Sequence, residues 1–120
     1  MERRHHKLEV WQDGMLLVEH IYRLTASFPS DERFGLTFQI RRAAVSVPSN
    51  IAEGAARRSR AEYVQFLSIA RGSLSELETQ ALIAKRLGCS TENPELDELI
   101  SRLFAKLGAL INSLVENKKP

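Results

Sequence analysis

The sequence predicts an all-α protein that folds as one antiparallel, up-and-down four-helix bundle. Apolar residues recur at helical spacing along nearly the whole chain, and turn-forming residues interrupt that pattern at three places. The connections between the resulting segments are about four to six residues long, which favours antiparallel neighbours. The chain has 120 residues, a length that suits a single domain over residues 1–120.

The first helix is predicted over about residues 8–26. Its apolar residues repeat at steps of three or four and include Trp11, Met15, Val18 and Tyr22. It ends before Pro29, because proline cannot continue the helical hydrogen-bond ladder. Residues 1–7 are basic and lack the apolar stretch of a secretory signal, so we expect a flexible basic segment.

The second helix is predicted to start after Ser30 or Asp31, either of which could cap it, and to reach Gly54 or slightly beyond. Pro48 lies inside this stretch, where it removes one backbone hydrogen bond and crowds the carbonyl of Ala44. We therefore expect a kink or a local wide turn near Pro48, or two shorter helices.

The third and fourth helices have clear start and stop signals. Ser59 is followed three residues later by Glu62, and this capping box predicts the start of the third helix. Gly88 supplies a left-handed cap at its end. Asn93-Pro94 predicts the start of the fourth helix, because asparagine caps helices and proline fits the first position.

Small residues recur on the second and third helices and predict a close approach of the two backbones. They are Ala43, Ala44, Ala70, Gly72 and Ala81. A glycine inside a helix otherwise costs about 1 kcal/mol, so Gly72 is expected to serve this packing. Gly54 is expected to let the chain turn toward Ser59.

A regular polar stripe follows the second helix, where a plain bundle needs none. Its members stand three or four positions apart and share one helix face; they are Gln39, Arg42, Ser46, Asn50, Glu53 and Arg57. One interpretation is a structural polar network in which Arg42 pairs with Glu53 or Glu76, within the chain or between subunits. Asn50 would then hold backbone groups near Pro48. The alternative is a ligand site.

Basic residues form a second candidate site. Arg41, Arg57, Arg58 and Arg60 cluster around the second helix and its exit and are the candidates for contact with nucleic-acid phosphates. Three further basic residues crowd the amino end, namely Arg3, Arg4 and Lys7. The formal net charge is only +2, which is small for a protein that neutralises nucleic acid, so the distribution of charge is more informative than its sum.

Short runs along nearly the whole chain stand at the spacing of one family's signature. They are Phe28-Pro29 with Glu32, Gln39-Ile40-Arg41-Arg42-Ala43, Ser46, Asn50-Ile51-Ala52-Glu53-Gly54, Arg57, Phe66-Leu67, Ala70-Arg71-Gly72-Ser73-Leu74, Glu76-Leu77-Glu78-Thr79 and Leu87-Gly88. In these runs the chain resembles the 23S rRNA intervening-sequence protein family, also called the four-helix-bundle protein family.

The resemblance implies a function as well as a fold. Members of the family are found as reading frames in insertions within bacterial 23S rRNA genes and elsewhere in genomes. A related protein is the accessory variability determinant of diversity-generating retroelements, a pentameric basic bundle that binds nucleic acid and a reverse transcriptase. The resemblance therefore implies a bacterial homo-oligomer, a pentamer, that is associated with nucleic acid and has no established enzymatic activity.

The residues themselves indicate no catalytic, cofactor or metal site. The sequence contains no Gly-rich phosphate loop, His-Glu-x-x-His motif or nucleophile elbow. The only Glu-x-x-His spacing, Glu2 to His5, lies at an end expected to fray. The single Cys89 is expected to be a small, part-buried hydrophobe. We therefore expect a non-enzymatic protein without cofactor or metal.

Two functional hypotheses follow, and the sequence does not decide between them. In the first, a homo-oligomer binds RNA or DNA through a repeated basic surface. In the second, the protein is an interaction scaffold or accessory subunit for a polymerase or another protein and does not bind nucleic acid directly. No apolar run approaches the roughly 20 residues that span a bilayer, so we expect a cytoplasmic protein without a membrane partner.

Overall fold

Four α-helices make up the protein in the computed structural model, which describes residues 3–116. They are α1 (Glu9–Thr25), α2 (Leu36–Ala55), α3 (Arg60–Arg86) and α4 (Pro94–Glu116). Two short 3-10 helices precede α1 and α2, at Arg4–Lys7 and Ser30–Glu32. No strand occurs between residues 3 and 116, so the predicted all-α class is confirmed.

Each helix packs against two others, which gives the predicted four-helix bundle. The packed pairs are α1 with α2, α2 with α3, α3 with α4, and α4 with α1, while diagonal helices of the described chain do not meet. Antiparallel packing of α1 and α4 follows from two ion pairs, since Glu9 pairs with Lys106 while Asp13, one turn later in α1, pairs with Arg102, one turn earlier in α4. The bundle is elongated and measures 52 × 28 × 21 Å.

One continuous hydrophobic core holds the four helices together. Its largest fully buried side chains come from every helix: Leu17, Ile21, Ile40, Val47, Ile51, Leu67, Leu74, Leu77, Leu103 and Leu107. Burying one such side chain contributes roughly 1.5–3 kcal/mol. The helical period of the apolar residues was therefore a correct guide to the core.

The predicted helix ends are confirmed at α3 and α4. The Ser59 hydroxyl accepts a hydrogen bond from the Glu62 amide at 3.0 Å, and Asn93 Oδ1 accepts one from the Leu96 amide at 3.2 Å. Gly88 closes α3 with a left-handed φ of 81°. All three signals act within one helical turn, which is why the sequence reveals them.

The predicted start of α2 is wrong. Ser30 and Asp31 belong to the separate 3-10 turn, and neither side chain caps α2, which begins only at Leu36. The carboxylate of Glu32 takes the capping role instead, since its Oε1 accepts a hydrogen bond from the Leu36 amide at 3.1 Å. The chain therefore makes an extra turn, and its acidic residue reaches an amide at the new helix start.

Helix α2 runs without interruption through Pro48, so the alternative of two shorter helices is not observed. Pro48 is buried against Gly14 of α1; a Cβ atom added to Gly14 would lie 3.1 Å from the Pro48 Cβ. Asn50 Nδ2 donates to the Ser46 carbonyl at 2.8 Å. Asn50 thus binds the backbone near Pro48, as predicted.

Gly54 permits the close packing of α2 on α3. A Cβ atom added there would lie 2.8 Å from the Phe66 Cβ and 3.2 Å from the Tyr63 carbonyl oxygen, closer than side chains tolerate. Gly54 lies inside α2 and does not have a positive φ, so its expected role in turning the chain is wrong.

Gly72 is exposed with nothing within 4 Å of an added Cβ, so it does not serve the helix packing that the sequence predicted for it.

An ion cluster that the sequence did not reveal joins α1 to α4. Arg102 donates two hydrogen bonds to the Asp13 carboxylate, at 3.1 and 3.2 Å, and Lys106 donates a third at 3.2 Å. Burial of Asp13 would by itself raise the pKa of its carboxyl, but the bonds from Arg102 and Lys106 outweigh burial and hold the pKa below 3.8. The cluster thus fixes the register of the two helices.

We expect Gly54→Ala to lower the free energy of unfolding by about 1–3 kcal/mol, the usual cost of overpacking a close contact. The matched control is Gly72→Ala, which should raise it by up to about 1 kcal/mol because alanine favours an open helix position. Urea unfolding of both variants measures the difference. Equal stabilisation by the two substitutions would contradict the close approach at Gly54.

We expect Asp13→Asn to lower the free energy of unfolding by about 1–3 kcal/mol at neutral pH. Because folding depresses the pKa of Asp13, its contribution is complete above the unfolded value of 3.8 and is lost as pH falls through the lower folded value. The stabilities of variant and parent in urea unfolding should therefore converge as the pH falls below 3.8. Glu98→Gln, at a mostly exposed partner of Arg102, is the control and should cost less than about 1 kcal/mol.

Candidate functional site

Two basic segments that are distant in sequence meet at one end of the bundle. The 3-10 helix Arg4–Lys7 packs against α1 and α2, and the Arg4 guanidinium lies 5.8 Å from the centre of the Tyr63 ring, in the first turn of α3. The connection between α2 and α3 leads into that same turn. We call this region the basic end; its basic side chains are Arg3, Arg4, Lys7, Arg57, Arg58 and Arg60.

Several contacts hold the 3-10 helix. Residues 1–2 of the segment 1–7, for which the sequence predicts flexibility, lie outside the described chain. His6 Nδ1 accepts a hydrogen bond from the Arg3 amide at 2.9 Å, and Gln12 of α1 donates to the His6 carbonyl at 2.9 Å. The contact with α1 positions the backbone of the 3-10 helix, and composition alone does not indicate such a contact. The basic side chains are therefore presented from a defined backbone.

Arg57 is held in place by weak, exposed contacts. Its guanidinium lies 3.1 Å from the Glu53 carboxylate and 3.6 Å from that of Glu62, and 4.8 Å from the centre of the Phe66 ring. These side chains are about half exposed, and such pairs are worth only about 0.2–1 kcal/mol and are screened by salt. An incoming phosphate can therefore displace the carboxylates.

Arg58 is exposed and forms no ion pair with any residue between 3 and 116. Arg4 lies over Tyr63, where burial raises the pKa of the Tyr63 hydroxyl above 10.0 and the charge of Arg4 partly opposes that rise. The basic end thus contains two arginines that lie over aromatic rings, Arg4 and Arg57, and the exposed Arg58 without an ion pair in the described chain.

The two ends of the bundle differ in charge. Helix α3 starts at the basic end, and its 27 residues carry the chain about 40 Å away. There α4 begins among the acidic residues Glu92, Glu95, Asp97 and Glu98, and the basic Lys85 and Arg86 end α3 beside them. The small net charge of +2 therefore conceals a concentration of basic side chains at one end of the 52 Å axis, which favours the approach of a polyanion to that end.

An aromatic cluster lies beside the basic side chains. It consists of His5, His6 and Trp11, whose ring centres are 4.4 Å (His5–His6), 5.1 Å (His5–Trp11) and 5.0 Å (His6–Trp11) apart. All three side chains are partly exposed. The sequence shows two histidines and a tryptophan near the amino end, but only the turn at Arg4–Lys7 brings their rings together.

Arg41 does not belong to the basic end, contrary to its grouping with Arg57, Arg58 and Arg60. It lies roughly 20 Å away along α2, where its Nε donates to the Thr25 hydroxyl at 2.7 Å. Its guanidinium also lies 4.5 Å from the centre of the Tyr22 ring. Arg41 therefore joins α2 to α1, because a partner on the neighbouring helix is within reach.

The predicted polar network exists only in its central part. The Ser46 and Ser73 hydroxyls share a hydrogen bond of 2.8 Å between α2 and α3, and Asn50 Nδ2 donates to Ser46 Oγ at 2.9 Å. Within the described chain, Arg42 pairs with neither Glu53 nor Glu76. Glu53 binds Arg57, one helical turn away, so the nearer cation prevails.

The rest of the stripe borders an open cleft of about 580 Å³ between α2 and α3. It is lined by Phe34, Phe38, Gln39, Arg42, Ala43, Ser46, Ser73, Glu76 and Gln80. Gln80 is buried, and its Oε1 has no hydrogen-bond partner among residues 3–116. Phe34 and Phe38 are 85% and 56% exposed. The cleft therefore contains a buried polar atom without a hydrogen-bond partner and two exposed aromatic side chains.

The described residues contain neither a metal-binding cluster nor a membrane-spanning helix. No group of three or more His, Cys, Asp or Glu side chains between residues 3 and 116 could hold a metal ion. Over the same residues, no helix combines the length and apolar character needed to cross a membrane.

Comparison with known proteins identifies the family. No curated protein sequence matches the chain. The family model for the 23S rRNA-intervening sequence protein matches residues 6–113, which includes all four helices almost completely. The chain therefore belongs to the 23S rRNA-intervening sequence protein family.

Proposed function

We propose that this protein is a non-enzymatic nucleic-acid-binding bundle that holds phosphates at its basic end, with RNA as the first candidate. The observation that carries the proposal is the meeting of residues 3–7 with the start of α3, marked by Arg4 over the Tyr63 ring. Six basic side chains from two segments lie there. Membership of a family named for an intervening sequence of 23S rRNA supports RNA over other polyanions.

The chemistry of the basic end suits phosphate. Arginine presents a planar fork of donors that can bind two phosphate oxygens at once. Arg4 and Arg57 each lie over an aromatic ring, which restricts their side chains before binding and reduces the entropy lost on it. The acidic side chains beside Arg57, those of Glu53 and Glu62, are exposed and compete weakly.

Assembly into a homo-oligomer, which we propose to be a pentamer, would multiply this modest charge. Each copy would add one basic end, and contacts with one nucleic acid would reinforce each other through effective concentration. The surface of α2 and of the turn before it supports assembly, because Phe34 in that turn and Phe38, Val45 and Arg42 on α2 are exposed. Arg42 and Glu76 lack partners within the described chain, so they can pair between copies.

A second candidate function is that of a scaffold, in which the protein is an accessory subunit of a polymerase or another protein. The cleft between α2 and α3 favours it, because Gln80 Oε1 is buried there without a donor and Phe34 is 85% exposed. A protein partner could supply both the donor and the apolar cover. The relation to the accessory variability determinant stays a prediction, as does a cytoplasmic location.

We expect the oligomer to bind RNA in a strongly salt-dependent manner, because each phosphate contact releases counterions. Replacing Arg57, Arg58 and Arg60 by glutamine should weaken binding about tenfold or more at low salt and reduce the salt slope by about 2–3. Adding Arg4→Gln should weaken it further. Titrations at two or more salt concentrations measure both quantities.

The matched control replaces Arg23, Arg71 and Arg86 by glutamine. These arginines are exposed and lie outside the basic end, so the control has the same net charge as the first triple variant. It should retain most of the affinity of the parent. If both triple variants lose affinity equally, binding follows overall charge and the assignment to the basic end is wrong. If the parent binds neither RNA nor DNA at low salt, the scaffold function stands.

We expect Arg42→Ala to weaken assembly while leaving the stability of the single chain within about 0.5 kcal/mol, because its guanidinium has no described partner. Light scattering over a dilution series should show dissociation at higher concentration than for the parent. Arg71→Ala, an exposed position on α3, is the control and should assemble normally. Unchanged assembly of Arg42→Ala would place the subunit contact elsewhere.

A further inference from the structure

We infer that the nucleic acid bound at the basic end is single-stranded and that an unpaired base stacks on the cluster of His5, His6 and Trp11. This inference rests on the proposed function and adds to it the class of nucleic acid. Phosphate contacts alone hold duplex and single strand alike, whereas aromatic rings select bases that are free to stack.

The argument begins with the placement of the two kinds of group. A single 3-10 helix, Arg4–Lys7, contains both the cations and the histidines, so phosphate and base contacts arise within one short turn. In a 3-10 helix each residue advances about 2 Å. The backbones of the two histidines therefore lie within a few ångströms of those of Arg4 and Lys7, a separation that one nucleotide can bridge.

The geometry of the cluster leaves ring surface available. The planes of His5 and His6 are inclined at 77° and those of His5 and Trp11 at 65°, so these rings meet edge to face and are not stacked in parallel. His6 and Trp11 are tilted by 42°. All three side chains are partly exposed. A planar base can therefore add to the open surface of the cluster, as bases do on aromatic side chains.

The position of the turn is fixed well enough for recognition. Gln12 donates to the His6 carbonyl at 2.9 Å, and the Arg3 amide donates to His6 Nδ1 at 2.9 Å. Trp11 packs against the hydrophobic core, and this contact holds one ring of the cluster in place. A preorganised platform of this kind loses little side-chain entropy when a base binds.

Duplex nucleic acid cannot use this platform, because its bases are already stacked and paired. It can contact only the cations of the basic end through its phosphates. A single strand makes both contacts. Stacking does not read the 2′-hydroxyl, so single-stranded RNA and single-stranded DNA should bind alike.

The test compares a short single-stranded RNA of mixed sequence with the duplex it forms with its complement, in the same buffer. Trp11 is the only tryptophan in the chain, so its fluorescence reports directly on the cluster. We expect the single strand to bind about tenfold more tightly per site and to quench Trp11. The duplex should leave the Trp11 fluorescence nearly unchanged. A single-stranded DNA of the same sequence should behave as the single-stranded RNA does.

Two double variants separate stacking from structure. His5→Ala with His6→Ala should reduce the affinity for the single strand to that for the duplex, while the affinity for the duplex stays as in the parent because the cations remain. His5→Phe with His6→Phe keeps two aromatic rings and should restore preference for the single strand. His20→Ala changes the third histidine, on α1 outside the cluster, and should have no effect.

The outcomes distinguish this inference from the proposed function. Equal affinity for single strand and duplex, with no quenching of Trp11, overturns the inference and leaves phosphate binding at the basic end intact. The same holds if the alanine double variant keeps the preference for the single strand. Binding of neither nucleic acid at low salt overturns both the proposed function and this inference.

Discussion

The close approach of α2 and α3 at Gly54 is the constraint on which the rest of the structure depends. Without a Cβ atom at this position, the Tyr63 backbone and the Phe66 side chain come against α2. Those two aromatic residues then offer their rings to Arg4 and Arg57. The absence of a side chain at Gly54 therefore brings α3 close to α2 and, with it, the two rings over which Arg4 and Arg57 lie.

The remaining helices are fixed by interactions of a different kind. Asp13, Arg102 and Lys106 set the register of α4 against α1 through charge-assisted hydrogen bonds. The Ser46–Ser73 hydrogen bond and the apolar core act between α2 and α3. The basic side chains of the proposed site are exposed, whereas the residues that fix register are buried or partly buried. The two sets of side chains can therefore be substituted separately.

The sequence predicted what depends on neighbours within a few residues. The caps at Ser59 and Asn93 and the left-handed Gly88 are local features, and the helical period located the core. Contacts across the bundle were not predictable in this way. Asp13 and Arg102 are 89 residues apart, and the spacing i, i+4 of Arg102 and Lys106 on one face was the only signal of that cluster. The contact of Arg4 with Tyr63 depends on how the 3-10 helix packs. Glu53, one of the two partners predicted for Arg42, pairs instead with Arg57, which lies one helical turn away.

The uneven charge along the bundle has a consequence for any ring of such subunits. The subunits of a ring are related by rotation about the ring axis, so every bundle points the same way along that axis. Unless the bundles lie flat in the ring plane, all basic ends would face one side, and the opposite ends, where Glu95 and Asp97 lie near Lys85 and Arg86, would face the other. Such a ring has two unlike surfaces, and a polyanion is attracted more strongly to one than to the other. The assembly would then have a polarity, so that a nucleic acid would approach it from one side and leave the other side open to a different partner.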